Sequence, residues 1–214
     1  MSNPSGVDDR FPGFDALGQV PHWDQVTADL VTARTAPPPQ PDFFTTAERA
    51  TAGALLNLLA GQEPNDSDPA PFSVPVLEMV EARLAAGETD GWRYEDMPED
   101  GQAWRDTLLY LDEDARRRTG TTFAAADPDD QRKLVQAVQD LKSEPWHGLP
   151  AAHVWSLWTR YAATAFYAHP AAWTEIGFPG PAYPRGYKNT GVDALEPFEV
   201  RDHKPAIDPV RKGD

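Results

Sequence analysis

The stretch PAAHVWSLWTRYAATAFYA, residues 150–168, decides the fold class. Read as a helix, it places Val154, Trp155, Leu157, Trp158, Tyr161, Ala162, Ala165, Phe166 and Tyr167 nearly all the way round. A helix with so little polar surface is buried on more than one side. It is therefore the expected central helix of a helical body, with Trp155 and Trp158 as core anchors.

Working outward, every other regular segment also has helical spacing. In FFTTAERATAGALLNLLAG, Thr45 and Glu48 have capping-box spacing, and Gly61 suits the C-terminal end. Ala47, Ala50, Ala54, Leu55, Leu58 and Leu59 are the expected inward face. Ser73 opens a second helix with Val76, Leu77, Val80 and Leu84 inward and Gly87 at its end. A third covers 101–119, with Trp104, Leu108, Leu111 and Ala115 on one stripe and Gly120 after it. In ADPDDQRKLVQAVQDLK, Asp127 is the expected N-cap, Pro128 takes the first helical position, and Asp129 and Asp130 favour the positive end of the helix dipole. Leu134, Val138 and Leu141 then face inward. A short amphipathic helix is expected in HWDQVTADLVTAR, where Trp23, Val26, Leu30 and Val31 share a spacing. No segment alternates with period two and no repeat is present. The expected architecture is all-α: an irregular bundle of about five to seven helices with long loops. Residues 1–41 form an N-terminal extension with a Pro-rich connector, 42–187 the helical domain, and 188–214 an extended tail.

The 214-residue chain carries a net charge of −15, which repels phosphate backbones and argues against nucleic acid as a partner. The acidic excess lies before residue 181; beyond it Arg185, Lys188, Arg201, Lys204, Arg211 and Lys212 balance the Asp and Glu residues. The absence of cysteine excludes disulfides, thiolate metal sites and a cysteine nucleophile. No apolar run approaches the length of a membrane span, and the first residues do not read as an export signal. A cytoplasmic protein is the expectation.

Sites for chemistry are hard to find. Glu144 and His147 have the three-residue spacing of di-iron helical proteins, but Pro145 lies between them and no second such pair exists. The acidic group Asp112–Asp114 reads as a solvated face. His169 before Pro170 reads as a helix-ending residue that bonds a free carbonyl. There is no nucleophile elbow, phosphate loop or dinucleotide fingerprint. The expectation is no catalytic residue, no cofactor and no metal in this chain. The alternative is a stand-alone helical enzyme or metal-binding protein that uses acidic residues with His147, His153 or His169.

What remains is AAWTEIGFPGPAYPRGY, residues 171–187. Its prolines and glycines forbid a regular element, yet it carries four aromatic rings. Aromatics on a stiffened, extended segment need a surface to bury against, either the protein's own helices or a partner. Trp173 and Gly177 are the expected anchors to the body. Phe178, Pro179, Pro181, Tyr183, Arg185 and Tyr187 are the candidate partner-binding residues, with Phe178 also a candidate anchor.

Three stretches in order, DFFTTAERATAGALLNLLAG, LLYLDEDARRRTGTTFAAADPDDQRKLVQAV and TAFYAHPAAWTEIGFPGP, together resemble the gluconate 2-dehydrogenase subunit 3 family. The most specific residues are Trp173 and Ile176 through Pro181, supported by Phe44, Glu48, Phe123, Gln131 and Leu134. The resemblance implies a helical, non-catalytic small subunit of a large flavoprotein of the glucose–methanol–choline type. FAD and the substrate pocket would lie in that partner, which would oxidise a sugar or alcohol hydroxyl. Two features depart from the family. Many members carry a twin-arginine signal, so here the complex would stay inside the cell or leave on a signal of the partner. The YGG turn often found before the Trp is replaced by YAHPAAW.

Overall fold

The computed structural model describes residues 10–36, 42–62, 74–189, 191–192 and 194–203. The expected all-α architecture is what the chain adopts. The helices are α1 (Gln25–Ala33), α2 (Thr46–Leu59), α3 (Val76–Ala85), α4 (Asp100–Thr119), α5 (Pro128–Asp140), α6 (Ala151–Ala168) and α7 (Pro170–Glu175). 3-10 turns occupy Ala16–His22 and Phe123–Ala125. Just before α6, Pro145–Trp146 (β1) pairs antiparallel with Leu149–Pro150 (β2). His147 and Gly148 form the two-residue turn between them, both with positive φ, +49° and +85°, as such hairpins require. The sequence expectation had no strand; His-Gly between Trp146 and Leu149 was its available signal. The turn also explains why Glu144 and His147 do not share a helical face.

The chain forms two compact units. One comprises the described residues of Pro38–Phe166, the other those of Met1–Pro37 and Tyr167–Asp214. This division differs from the sequence boundaries at 41 and 187. The N-terminal segment and the arm bury their rings against each other, a pairing that no local sequence signal encodes.

In the first unit, α6 buries one broad face, Ala151, Val154, Leu157, Trp158, Tyr161, Ala162 and Ala165, whereas Ala152, Ala163 and Thr164 are exposed, so it is less enclosed than its composition suggested. Trp158 and Tyr161 lie in the core with Trp104, Leu108 and Leu111 of α4 and Leu55 and Leu56 of α2. Trp104 meets Tyr161 edge-on at 5.8 Å, and Trp158 meets Trp146 edge-on at 5.5 Å. Two of the buried polar tips find partners: Trp158 Nε1 donates to Thr107 Oγ1 at 3.0 Å, and Tyr161 OH donates to Asp100 Oδ2 at 2.7 Å, whereas Trp104 Nε1 is buried without one among the described residues. Trp155, expected beside Trp158 as an anchor, is half-buried.

The helix ends follow the sequence. The Thr45–Glu48 capping box is present, Asp127 accepts from the Asp129 N–H, and Gly120 closes α4 in the left-handed region. The inward faces follow it less closely. On α2 the buried residues are Thr51, Ala52, Leu55 and Leu56, whereas Ala47 and Ala50 are exposed. A helix rich in small alanines fixes its azimuth weakly, and polar Thr51 disguises the inner face. On α1, Trp23 just ahead of the helix and Val31 are buried, but Val26 and Leu30 point to solvent. Ser73 lies outside the described residues, and α3 begins at Val76 with no side-chain cap.

Asp112 is the largest departure. The sequence placed it on a solvated face; it is buried, with Oδ1 accepting from Thr51 Oγ1 at 2.9 Å and from the Phe123 N–H at 2.9 Å. Arg116 Nη2 donates to Oδ2 at 3.2 Å. The Phe123 carbonyl in turn accepts from Gln131 Nε2 at 2.8 Å. One carboxylate thus ties α2 and α4 to the Phe123 turn, and Gln131 ties that turn to α5.

In the second unit, Ala16, Trp23, Ala28, Val31 and Trp173 form the core, flanked by Phe14 and Val20. Trp173 Nε1 donates to the Tyr167 carbonyl at 2.6 Å, and Arg34 Nη1 donates to the Ala168 carbonyl at 2.9 Å. His169 does not end α6 by bonding a carbonyl of that helix. It is the N-cap of α7, and its Nδ1 accepts from the Ala171 N–H at 3.2 Å. Burial pushes the His169 pKa below its ordinary value, opposed by its hydrogen bond to the Arg34 backbone.

Two outcomes test these packing assignments. Asp112→Ala strands the Thr51 hydroxyl and the Phe123 N–H in the core and should cost about 2–4 kcal/mol in urea unfolding. Asp112→Asn, which keeps one carbonyl oxygen, should lose far less; equal losses would refute the hydrogen-bonding role. Gly180→Ala builds a methyl group 2.2 Å from a carbon of the Trp23 ring, in a backbone with φ +76°. Gly13 has φ +72° and open space around it, so Gly13→Ala should cost only the backbone strain of roughly 1–2 kcal/mol. Gly180→Ala should cost clearly more and red-shift tryptophan emission. Matching losses would show that the ring contact contributes nothing.

Candidate partner-binding site

The arm begins where α7 stops. Gly177 takes φ +67°, and its N–H donates to the Thr174 carbonyl while the Phe178 N–H donates to the Trp173 carbonyl at 2.8 Å. This is a Schellman closure, which needs a left-handed residue at that point. The space beside Gly177 is also taken, because a Cβ there would stand 2.5 Å from the Phe11 ring. Gly177 therefore anchors the arm by conformation and by contact, as Trp173 does by burial.

Trp173 sits between two rings at right angles, Trp23 at 6.2 Å and Phe178 at 5.3 Å. Pro179 and Gly180 are buried, Gly180 against the Trp23 ring. Pro179, expected at the partner surface, is covered by its own unit, and Pro181 is half-buried. Phe178 is at the edge, with one side on Trp173 and about a third of its surface open. Tyr183 and Tyr187 point outward, 66% and 56% exposed. Proline and glycine hold the segment out of any helix, so its rings project where the turns aim them.

Arg185 behaves differently from its neighbours. Its guanidinium lies over the Phe198 ring at 3.8 Å, and Nη1 donates to Gln19 Oε1 at 3.1 Å. Nη2 makes a long 3.4 Å bond to the Pro179 carbonyl, and Nε is buried without a hydrogen-bond partner. Burial pushes the Arg185 pKa down, opposed by Tyr187. The chain beyond Tyr187 folds back. Buried Glu196 accepts from the Lys188 and Asn189 backbone N–H groups, and Glu199 Oε2 accepts from the Glu196 N–H at 2.7 Å. Farther along, Asp202 pairs with Arg10, and the His203 N–H donates to the Arg10 carbonyl at 3.0 Å. Gln19, Arg185, Lys188, Glu196, Phe198 and Glu199 help to line an open notch of about 590 Å³.

Sequence reasoning missed Val192, Leu195, Phe198 and Glu196 here. Val192 is 96% exposed. The signal for Phe198 was its place in a Pro-Phe pair, which only folding brings beneath Arg185. A buried Glu196 has no sequence signal, because its partners are backbone amides.

The histidines proposed for an alternative chemistry are taken up singly. His147 Nε2 lies 3.0 Å from Asp114 Oδ1, and its ring stacks on Tyr110 at 4.5 Å. His153 Nδ1 lies 2.8 Å from Asp96 Oδ1, and its ring stacks on Tyr94 at 3.6 Å. Among the described residues no group of three or more His, Asp or Glu side chains is placed to hold a metal. No helix among them is long and apolar enough to cross a membrane. A cluster of opposite charges does occur in the first unit, where Asp90 lies between Arg83 and Arg160. Burial pushes the Asp90 carboxyl up, but the bonds and charges of the two guanidiniums outweigh it and hold the pKa below its ordinary value. Tyr161 beside them is raised by burial and by its bond to Asp100.

No curated protein and no solved structure matches the chain significantly. A family model does: that of gluconate 2-dehydrogenase subunit 3, over residues 35–180. The matched span runs from the Phe43–Phe44 entry of α2, through the Phe123 turn held by Asp112, to the Trp173–Gly180 anchor of the arm. It covers well over half of the sequence, and on that ground the chain belongs to the gluconate 2-dehydrogenase subunit 3 family.

Proposed function

We propose that this chain is a non-catalytic small subunit that binds and stabilises a large FAD-dependent oxidoreductase acting on sugar or alcohol hydroxyls. The observation that carries the reading is the family match, since the family is by name a subunit of a dehydrogenase and so implies an oxidoreductase partner. The arm supports it. Tyr183, Tyr187 and Val192 stand exposed on a segment that turns and prolines hold in shape, and a pre-stiffened apolar surface loses little entropy when it is covered. FAD, held by the partner, would accept the hydride. The role of this chain is to cover and steady that partner. The reading extends to a complex in the cytoplasm, exported only on a signal that the partner carries.

The test is gentle recovery of the tagged chain from its host, followed by mass, flavin spectrum and dye-linked oxidation of sugars and alcohols. A much larger flavoprotein in fixed ratio, active in the complex, is the expected result. A colourless chain recovered alone, or one that oxidises substrate without a partner, would overturn the reading. Within the complex, Tyr183→Ala with Tyr187→Ala should weaken association about tenfold or more while leaving the melting temperature of the free chain in place. If affinity is unchanged, the arm is structural only.

A further inference from the structure

We propose that the notch beside Arg185 receives a carboxylate side chain of the large partner subunit, which gives Arg185 across the interface the ion pair that it does not make among the described residues. This deepens the accessory-subunit reading and rests on it.

The inference starts from charge. In a chain of net charge −15, arginines find carboxylates easily, and Arg10, Arg49, Arg83 and Arg160 each do. Among the described residues no carboxylate lies within ion-pair distance of Arg185; its partners are Gln19, the Pro179 carbonyl and the Phe198 ring. The two carboxylates that line the same notch are committed elsewhere: Glu196 receives backbone N–H groups of the loop, and Glu199 receives the N–H of Glu196. Arg185 and Lys188 therefore present positive charge into an open space of about 590 Å³, with no carboxylate among the described residues paired to Arg185.

Geometry narrows the ligand. Stacking on Phe198 and the bond to Gln19 hold the guanidinium in one orientation, which prepares it for a planar, forked acceptor. Partial desolvation of a cation is costly, and burial is what lowers the Arg185 pKa. An incoming carboxylate offsets that cost. The occupant is a protein side chain because Tyr187, whose ring lies 6.0 Å from Phe198 of the notch, and Tyr183, two residues before Arg185, are exposed rings that need a macromolecular surface to cover them. Arginine and tyrosine together are the residue types that dominate binding energy at protein interfaces.

The experiment uses the purified complex of this chain with its flavoprotein subunit. Dissociation constants are measured for the wild type and Arg185→Gln across a salt series. In parallel, the Arg185→Lys complex is treated with a water-soluble carbodiimide, which joins an amine to a carboxylate in direct contact. The expected result is affinity lower by roughly ten- to a hundredfold for Arg185→Gln, with a weaker salt dependence. The expected cross-link joins position 185 to an Asp or Glu of the large subunit. If Arg185→Gln fails to fold, the cross-link alone decides the matter. Unchanged affinity in a folded Arg185→Gln variant, or a cross-link map without position 185, overturns the proposal while the accessory reading stands. Failure of the wild-type chain to bind any flavoprotein overturns both.

Discussion

A single buried carboxylate organises the first unit. Asp112 faces the core from the middle of α4, and its Oδ1 takes two donors from different parts of the chain, the Thr51 hydroxyl and the Phe123 N–H. Burying an ionised group is tolerable only when its acceptor capacity is met, and here Arg116 completes the set at the rim. The consequence is positional. Phe123, fully buried, has its amide held by Asp112 and its carbonyl by Gln131, so it can enter the core with both of its own backbone groups paired. The helices around it then bring Trp104, Trp158 and Tyr161 into contact.

The second unit is built on a contact of the opposite kind, apolar and steric. Trp173 fills the space between Trp23 and Phe178, and glycines at 177 and 180 let the arm pass within reach of Phe11 and the Trp23 ring. That closeness divides the rings of the proline-rich stretch. Trp173 is used internally and Phe178 mostly so, while Tyr183 and Tyr187 are left outside. The arm is thus a scaffold for an outward surface, and the site beside Arg185 inherits its rigidity from the same contacts.

How far the sequence could be read depended on the range of the interaction. Helix termini were legible because capping is local: Thr45 with Glu48, and Asp127 with Pro128, need only a few residues to declare themselves. The α4 stripe was legible because its residues are large, and the burial of Trp158 followed from a helix with almost no polar face. The α2 face was misread because alanines weigh little and the decisive buried residue, Thr51, is polar. Asp112 was misread because a charged residue among charged neighbours looks solvated until its distant donors are known. At the arm, Trp173 and Gly177 were legible as anchors, whereas Pro179 turned inward and Phe198, Glu196 and Gln19 entered only on folding.

By itself, then, the sequence determined the helical class, the helix ends, the acidic charge and the family, since these rest on periodicity, local hydrogen bonding and ordered motifs. The tertiary structure decided that the N-terminal segment and the arm share one core. It decided too that Asp112 lies inside, and that Arg185 stands over Phe198 with no carboxylate among the described residues paired to it. Each of these depends on side chains far apart in sequence meeting in space, where desolvation makes an unmet hydrogen bond or charge matter. No local pattern records such a meeting.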